Sequence, residues 1–129
     1  REYRPIYGPY GAGMGRFVAL KKQADFIGKS AAMAEKEHGG TMRLRTFVVD
    51  AKDADVIGDE AIWLNGEVRG WVTSGGYAHG SSVSVAMGYV PWGCANEDDG
   101  WEIEILGERR SAKLQVEPLF DPKAERMRG

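Results

Sequence analysis

The dipeptide Asn65-Gly66 stands between Ala61-Ile62-Trp63-Leu64 and a run that begins at Glu67 and reaches Ser74. Asparagine and glycine accept a positive φ with the least strain, so the pair closes a two-residue hairpin turn whose twist matches that of the flanking strands. Two antiparallel strands, Ala61 to Leu64 and Glu67 to Ser74, are therefore expected in the middle of the chain.

A period of two recurs on both sides of that hairpin. From Arg43 the run Arg-Leu-Arg-Thr-Phe-Val-Val-Asp sets Leu44, Thr46 and Val48 on one face against Arg43, Arg45 and Phe47 on the other, which reads as a strand with one buried face. Val85 to Trp92 reads as a strand closed by Pro91. Trp101, Ile103 and Ile105 alternate with Glu102 and Glu104, Gly107-Glu108 turns the chain, and Arg109 to Phe120 returns. Only Ala24 to Gly40 reads as a helix. Good helix formers run from Lys29 to Glu37, Phe26 and Ile27 can anchor the entry, and Gly39-Gly40 stop it. His38 in the last turn suits the negative end of the helix dipole, as a surface cap rather than a metal ligand. Five or six short strands with one early helix describe a mainly β chain, a small antiparallel barrel or sandwich. At 129 residues it is one domain, residues 1–129, with 1–15 reading as a linker and 121–129 as a loose tail.

The glycine-rich opening from Tyr7 to Lys22 invites comparison with a phosphate loop. Such a loop needs a strand before it and a helix directly after, whereas Phe17-Val18-Ala19-Leu20 read as a strand, so a glycine-rich entry into that strand is expected. The 17 Lys and Arg and 19 Asp and Glu give a net charge of −2 and form no basic stripe, which removes the electrostatic basis for binding nucleic acid. The chain opens on Arg1 without a charged-then-apolar leader or a run of about 18 apolar residues, so neither signal peptide nor membrane span is expected, and it reads as part of something longer. The single cysteine, Cys94, excludes an internal disulfide and suits a reducing compartment, cytoplasm or mitochondrial matrix.

Candidate chemistry is sparse. Asp53, Asp55, Asp59, Glu60 and Glu97-Asp98-Asp99 fall in predicted loops and read as a solvated face; their spacing lacks the central Gly and closing Glu of a calcium loop. Two distant histidines and one cysteine make no zinc pattern, so no metal is expected. Trp63, Trp71, Trp92 and Trp101 read as core packing. In Thr73 to Val90, Ser74, Tyr77 and His79 are interleaved with Gly75, Gly76 and Gly80, which reads either as a ligand-facing or interface loop or as a plain connection. No nucleophile, base and orienting group can be named together, so no catalytic residue is assigned.

Three segments in order carry a resemblance: Ala12 to Ala31, with Ala-Gly-Met-Gly and Asp-Phe-Ile-Gly-Lys; Gly66 to Val90, with Val-Thr-Ser-Gly-Gly-Tyr-Ala-His and Ala-Met-Gly-Tyr-Val; and Ser111 to Pro122, with Ala-Lys-Leu and Pro-Leu-Phe-Asp-Pro. Together they resemble the C-terminal β-barrel domain of the glycine-cleavage aminomethyltransferase family, in the version fused to dimethylglycine and sarcosine dehydrogenases. Gly11 stands where that family commonly carries Glu, and Arg16 where an apolar residue is frequent. The resemblance implies a barrel of about six strands with one N-terminal helix, helping to enclose tetrahydrofolate during one-carbon transfer in the intact protein. It also implies that the catalytic Asp lies in preceding domains, that an upstream domain can carry FAD, and that this chain alone holds neither cofactor. Its partners would be those upstream domains and the folate. Arg16, Phe17, Tyr77 and His79 are the residues expected to face the folate or the neighbouring domain. A stand-alone binding module without catalysis is the competing expectation, and a structural barrel in a folate-fold protein that has lost transfer chemistry is a third.

Overall fold

The computed structural model describes residues 1–129. Its centre is a closed six-stranded antiparallel barrel in the order β1-β4-β3-β2-β5-β6, with β1 pairing both β4 and β6. The strands are β1 (Met42–Val49), β2 (Ala61–Leu64), β3 (Glu67–Ala78), β4 (Val83–Pro91), β5 (Trp101–Ile105) and β6 (Glu108–Gln115), preceded by one helix, α1 (Lys29–His38). Asn65 and Gly66 take φ of 51° and 83° between β2 and β3, as a two-residue hairpin turn requires. Between β5 and β6 the equivalent pair is Leu106-Gly107, φ 51° and 80°, one residue earlier than Gly107-Glu108.

Period-two alternation places the core. Trp101, Ile103 and Ile105 of β5 face inward and meet Phe47, Ile62, Val72 and Val90 from the other strands, all of them buried. Trp101 packs 5.1 Å from Phe47, ring to ring, and its indole N–H donates to the Glu97 carbonyl at 2.7 Å, so the largest buried side chain leaves no polar atom unpaired. In β1 the inward face is the one carrying Phe47 and Val49; Arg43 and Arg45 share it where the strand enters the barrel. Of the four tryptophans only Trp101 is core, and this corrects the expectation for the other three. Trp71 is 37% exposed, and Trp63 lies at the surface beneath Arg109, 3.5 Å from its ring centroid, with its N–H on Glu104.

The outer face formed by β1 and β4 is covered by residues 2–12. Tyr89 and Leu44 sit opposite each other on β4 and β1 and point away from the core, yet both are buried. Tyr7 stacks on Tyr89 with ring centroids 3.8 Å apart, the Tyr89 hydroxyl donates to the Glu2 carbonyl at 2.7 Å, and Leu44 N donates to the Gly11 carbonyl at 2.7 Å. Glu35 of α1 anchors this cover by accepting from Gly11 N at 2.9 Å. A side chain at position 11 would approach Met42 O to 2.8 Å, so the close pass of the cover over β1 requires glycine there.

Two further expectations are corrected. Phe17 to Leu20 form no strand; a 3-10 turn spans Gly15–Phe17 and irregular chain follows to Gly28. The physical reason is closure: every barrel strand already has two partners, so no edge is available to pair an additional one. Phe26 and Ile27 do not anchor the helix entry, being 38% and 104% exposed, and the helix starts instead from Gly28 in a left-handed conformation, φ 85°. Of α1 only Ala32 is buried, and the helix is tied through Glu35 to the backbone of Tyr10 and Gly11 in the cover and not through an apolar stripe. At the other end, Asp121 accepts from Glu125 N and Arg126 N and caps one exposed helical turn, α2 (Glu125–Arg128).

Candidate functional site

The stretch between Ser74 and Val85, expected as a loop or a connection, is strand as far as Ala78 and again from Val83, so that β3 and β4 form a long hairpin broken only by the turn from His79 to Ser82. A bulge lies between Val72 and Ser74, where Thr73 is the extra residue and its hydroxyl donates to Met87 O at 3.0 Å. Beyond the bulge Gly75 faces inward against Val56, and Tyr77, two residues on, lies on the same face at the barrel rim. Tyr77 is 47% exposed and meets the His79 ring edge-on, 5.0 Å between centroids at 81°. The arrangement offers a planar aromatic surface beside an imidazole, suited to stacking and hydrogen bonding with a flat polar ligand.

Arg16 and Phe17 form a second exposed pair on the 3-10 turn Gly15–Phe17. The guanidinium lies 4.7 Å from the ring centroid, and Phe17 is 63% exposed. No hydrogen bond, ion pair or ring contact joins this pair to Tyr77 and His79. Neither pair lines the cleft beside Tyr7 and Trp71 or the one between β1, β4 and Val116 to Leu119.

One cleft escaped the reading of the sequence. Arg1, Arg4, Tyr7, Asp59, Trp71 and Thr73 line a space of about 370 Å³ beside the stacked tyrosines. Next to it the Ser74 hydroxyl donates to the Glu2 carboxylate, and that hydrogen bond is the main reason the Glu2 pKa falls from 4.5 to about 2. The alternation of cationic and aromatic residues in Arg1 to Tyr7 was a signal, but nothing in its spacing shows that the segment folds back across β3 and β4.

The remaining candidates are structural. Asp53, on the exposed side, pairs with Arg110 at 2.8 Å, and this lowers its pKa; Arg110, buried, also donates to Ala51 O, which ties down the β1–β2 connection. Glu60 accepts from Ile57 N and Gly58 N in the same connection. The His38 ring sits on Ala34 O in the last turn of α1. Cys94 is half-buried, and burial raises its thiol pKa, the opposite of what an activated nucleophile needs.

The strand order defines a small closed antiparallel β-barrel domain, and comparison with known proteins gives the family. Residues 43–121 match the family model described as the glycine cleavage T-protein C-terminal barrel domain, and the chain belongs to that family. It is 40% identical over 111 residues to the mitochondrial dimethylglycine dehydrogenase of Homo sapiens, a match covering 86% of this chain and 13% of that protein. An aminomethyltransferase of Synechocystis is 35% identical over 112 residues, covering 87% of this chain and 30% of its own. The crystal structure of the glycine cleavage system aminomethyltransferase T from Bartonella henselae superposes with a TM-score of 0.78 at 22% identity, over 92% of this chain and 33% of that one. This likeness confirms the fold. The chain thus spans a small fraction of the length of its relatives.

Proposed function

We propose that this barrel is one wall of a tetrahydrofolate compartment in a longer N-methyl amine dehydrogenase or aminomethyltransferase. Tyr77 and His79, with Arg16 and Phe17, face the folate or the domain beside it. The observation that carries this reading is the exposed edge-on pair Tyr77–His79 at the barrel rim, on a chain 40% identical over 111 residues to part of a dimethylglycine dehydrogenase.

The side chains present fit a wall and not an enclosing site. A flat ring can stack on Tyr77, but no other wall of this chain closes over it. Bound folate supplies the acceptor for a one-carbon unit; the role of this chain is to orient it and shield it from water. Tyr3, Ile6, Phe17 and Ile27 are each at least 63% exposed within the first 27 residues, an apolar surface suited to cover by the rest of a longer polypeptide. In that longer protein FAD belongs to an upstream oxidising domain, working in the mitochondrial matrix or cytoplasm.

Calorimetric titration with a stable reduced folate tests the reading. This chain alone is expected to bind in the millimolar range or weaker, because a wall retains few contacts. The longer polypeptide is expected to bind in the micromolar range and to lose at least about tenfold on Tyr77→Ala or His79→Ala, about 1.4 kcal/mol. Micromolar binding by this chain alone, or unchanged affinity of the variants in the longer polypeptide, would sink the wall assignment. A parent polypeptide without flavin absorbance or transfer activity would favour a binding module.

A further inference from the structure

Strand β1 enters the barrel with Arg43 and Arg45 on its inward face, so two guanidinium groups are directed to the same end. That end is roofed by the 3-10 turn Trp92–Cys94 and by the fully buried Ala95. Arg45 donates from Nε to Ala95 O at 2.6 Å and from Nη2 to Asn96 Oδ1 at 2.5 Å, both neutral acceptors. Arg43 lays its guanidinium on Trp92, 4.8 Å from the ring centroid, and its Nε is buried without a hydrogen-bond partner.

The platform under Arg43 is fixed. A Cβ at Gly39 would stand 2.9 Å from Trp92 Nε1, one at Gly40 would stand 3.4 Å from Cε3, and Trp92 N donates to Thr41 O at 3.0 Å. The two glycines that stop α1 therefore also admit the indole on which the guanidinium rests.

None of the chain's ion pairs includes either arginine. Arg69, whose charge is felt at Cys94 in the same roof, is already paired with Glu67. Unpaired cations are disfavoured away from water, and like charges repel more strongly there. Both effects act on Arg45, whose pKa is lowered to about 10, first through burial and then through the charge of Arg43. An anion at this end would relieve both.

We propose that Arg43 and Arg45 form a binding site for a small oxyanion, the phosphate or carboxylate group of a small molecule, at the end of the barrel where β1 enters. Arg43 Nε and Arg45 Nη1 have no acceptor within the chain, and guanidinium groups present their N–H donors in a fork that matches paired oxygens. The inference is independent of the folate reading, since it concerns other residues and another part of the barrel.

The test measures the thermal midpoint of this chain in phosphate, in malonate and in potassium chloride at equal ionic strength, with the Nε resonances of both arginines followed by NMR. A saturable rise of about 6 °C is expected at a twentyfold excess over the dissociation constant, beyond any chloride effect. Arg43→Gln and Arg45→Met should each abolish it. A larger response to phosphate identifies a phosphate ligand, and a larger response to malonate a carboxylate. Equal responses to all three salts, or an undiminished rise in both variants, would overturn the proposal. Should a variant fail to fold, the wild-type resonances decide: saturable shifts at Arg43 and Arg45 Nε support the site, and unmoved signals refute it.

Discussion

At Gly75 the β3–β4 hairpin packs against Val56 of the connection between β1 and β2, and replacing it with alanine measures how tightly that contact is made. A Cβ there would lie deep inside van der Waals contact of Val56 Cγ2 and of the Val85 carbonyl oxygen, and 3.1 Å from Ala86 Cα. Val56 can yield, but Val85 and Ala86 are backbone of the paired strand β4 and cannot move without breaking the ladder. Overpacking of this kind costs about 3 kcal/mol, offset by roughly 0.5 kcal/mol from the reduced entropy of the unfolded chain, for a net loss of about 2.5 kcal/mol. With an unfolding entropy of roughly 2.1 cal/mol/K per residue, the 129-residue chain should lose about 9 °C in Tm. Two neighbouring glycines separate contact from conformation. Gly76 has open space but φ of 150°, so Gly76→Ala should cost about 1 kcal/mol in backbone strain. Gly80 has open space and no unusual φ, so Gly80→Ala should stay within about 0.5 kcal/mol of the parent. Thermal unfolding followed by tryptophan fluorescence gives all three. Equal midpoints for Gly75→Ala and Gly80→Ala would mean that the hairpin does not press on Val56 and β4 as described.

Two other outcomes follow from the cover over the outer face. The Glu2 carboxyl has its pKa lowered to about 2 in the folded chain, so its contribution to stability is present above its ordinary value of 4.5 and is lost as pH falls from there toward 2. That contribution, on the order of 1 kcal/mol after solvent screening, should vanish in Glu2→Gln, whose stability between pH 5 and pH 2 should fall by that much less than the parent's. Glu35→Ala removes the acceptor for Gly11 N and should cost about 2 kcal/mol; faster hydrogen exchange at Gly11 with β4 amides unchanged is the expected signature, and uniform acceleration across the barrel would refute a local anchor.

The barrel was legible because its rules are local. Asn65-Gly66 and the alternation from Trp101 to Ile105 specify turns and faces without reference to distant residues, and the structure has both. Phe17 to Leu20 misled because a short apolar run reads as a strand whether or not a partner is free, and closure of the barrel leaves none. The continuation of β3 beyond Ser74 reads as a loop for the opposite reason. Gly75 and Gly76 look like breakers, whereas Gly75 is small because β4 and Val56 crowd it. The tryptophans read as core packing of a small β-domain, although Trp63 and Trp92 serve as platforms for arginines. Tyr77 and His79 stood out by composition, and the structure makes them neighbours; the cleft of Tyr7 and Trp71 depends on a chain reversal that no spacing encodes.

The family match begins at residue 43, but the barrel does not begin there in any physical sense. Cutting at that point would strip the ring stacked on Tyr89, bare Leu44 to solvent, and deprive the Tyr89 hydroxyl of its acceptor on Glu2. Exchange of such modules between enzymes in evolution, or by an engineer, must therefore carry residues 2–12 along with the strands. A junction placed at the start of β1 would inherit the pattern of the barrel and forfeit part of its solubility.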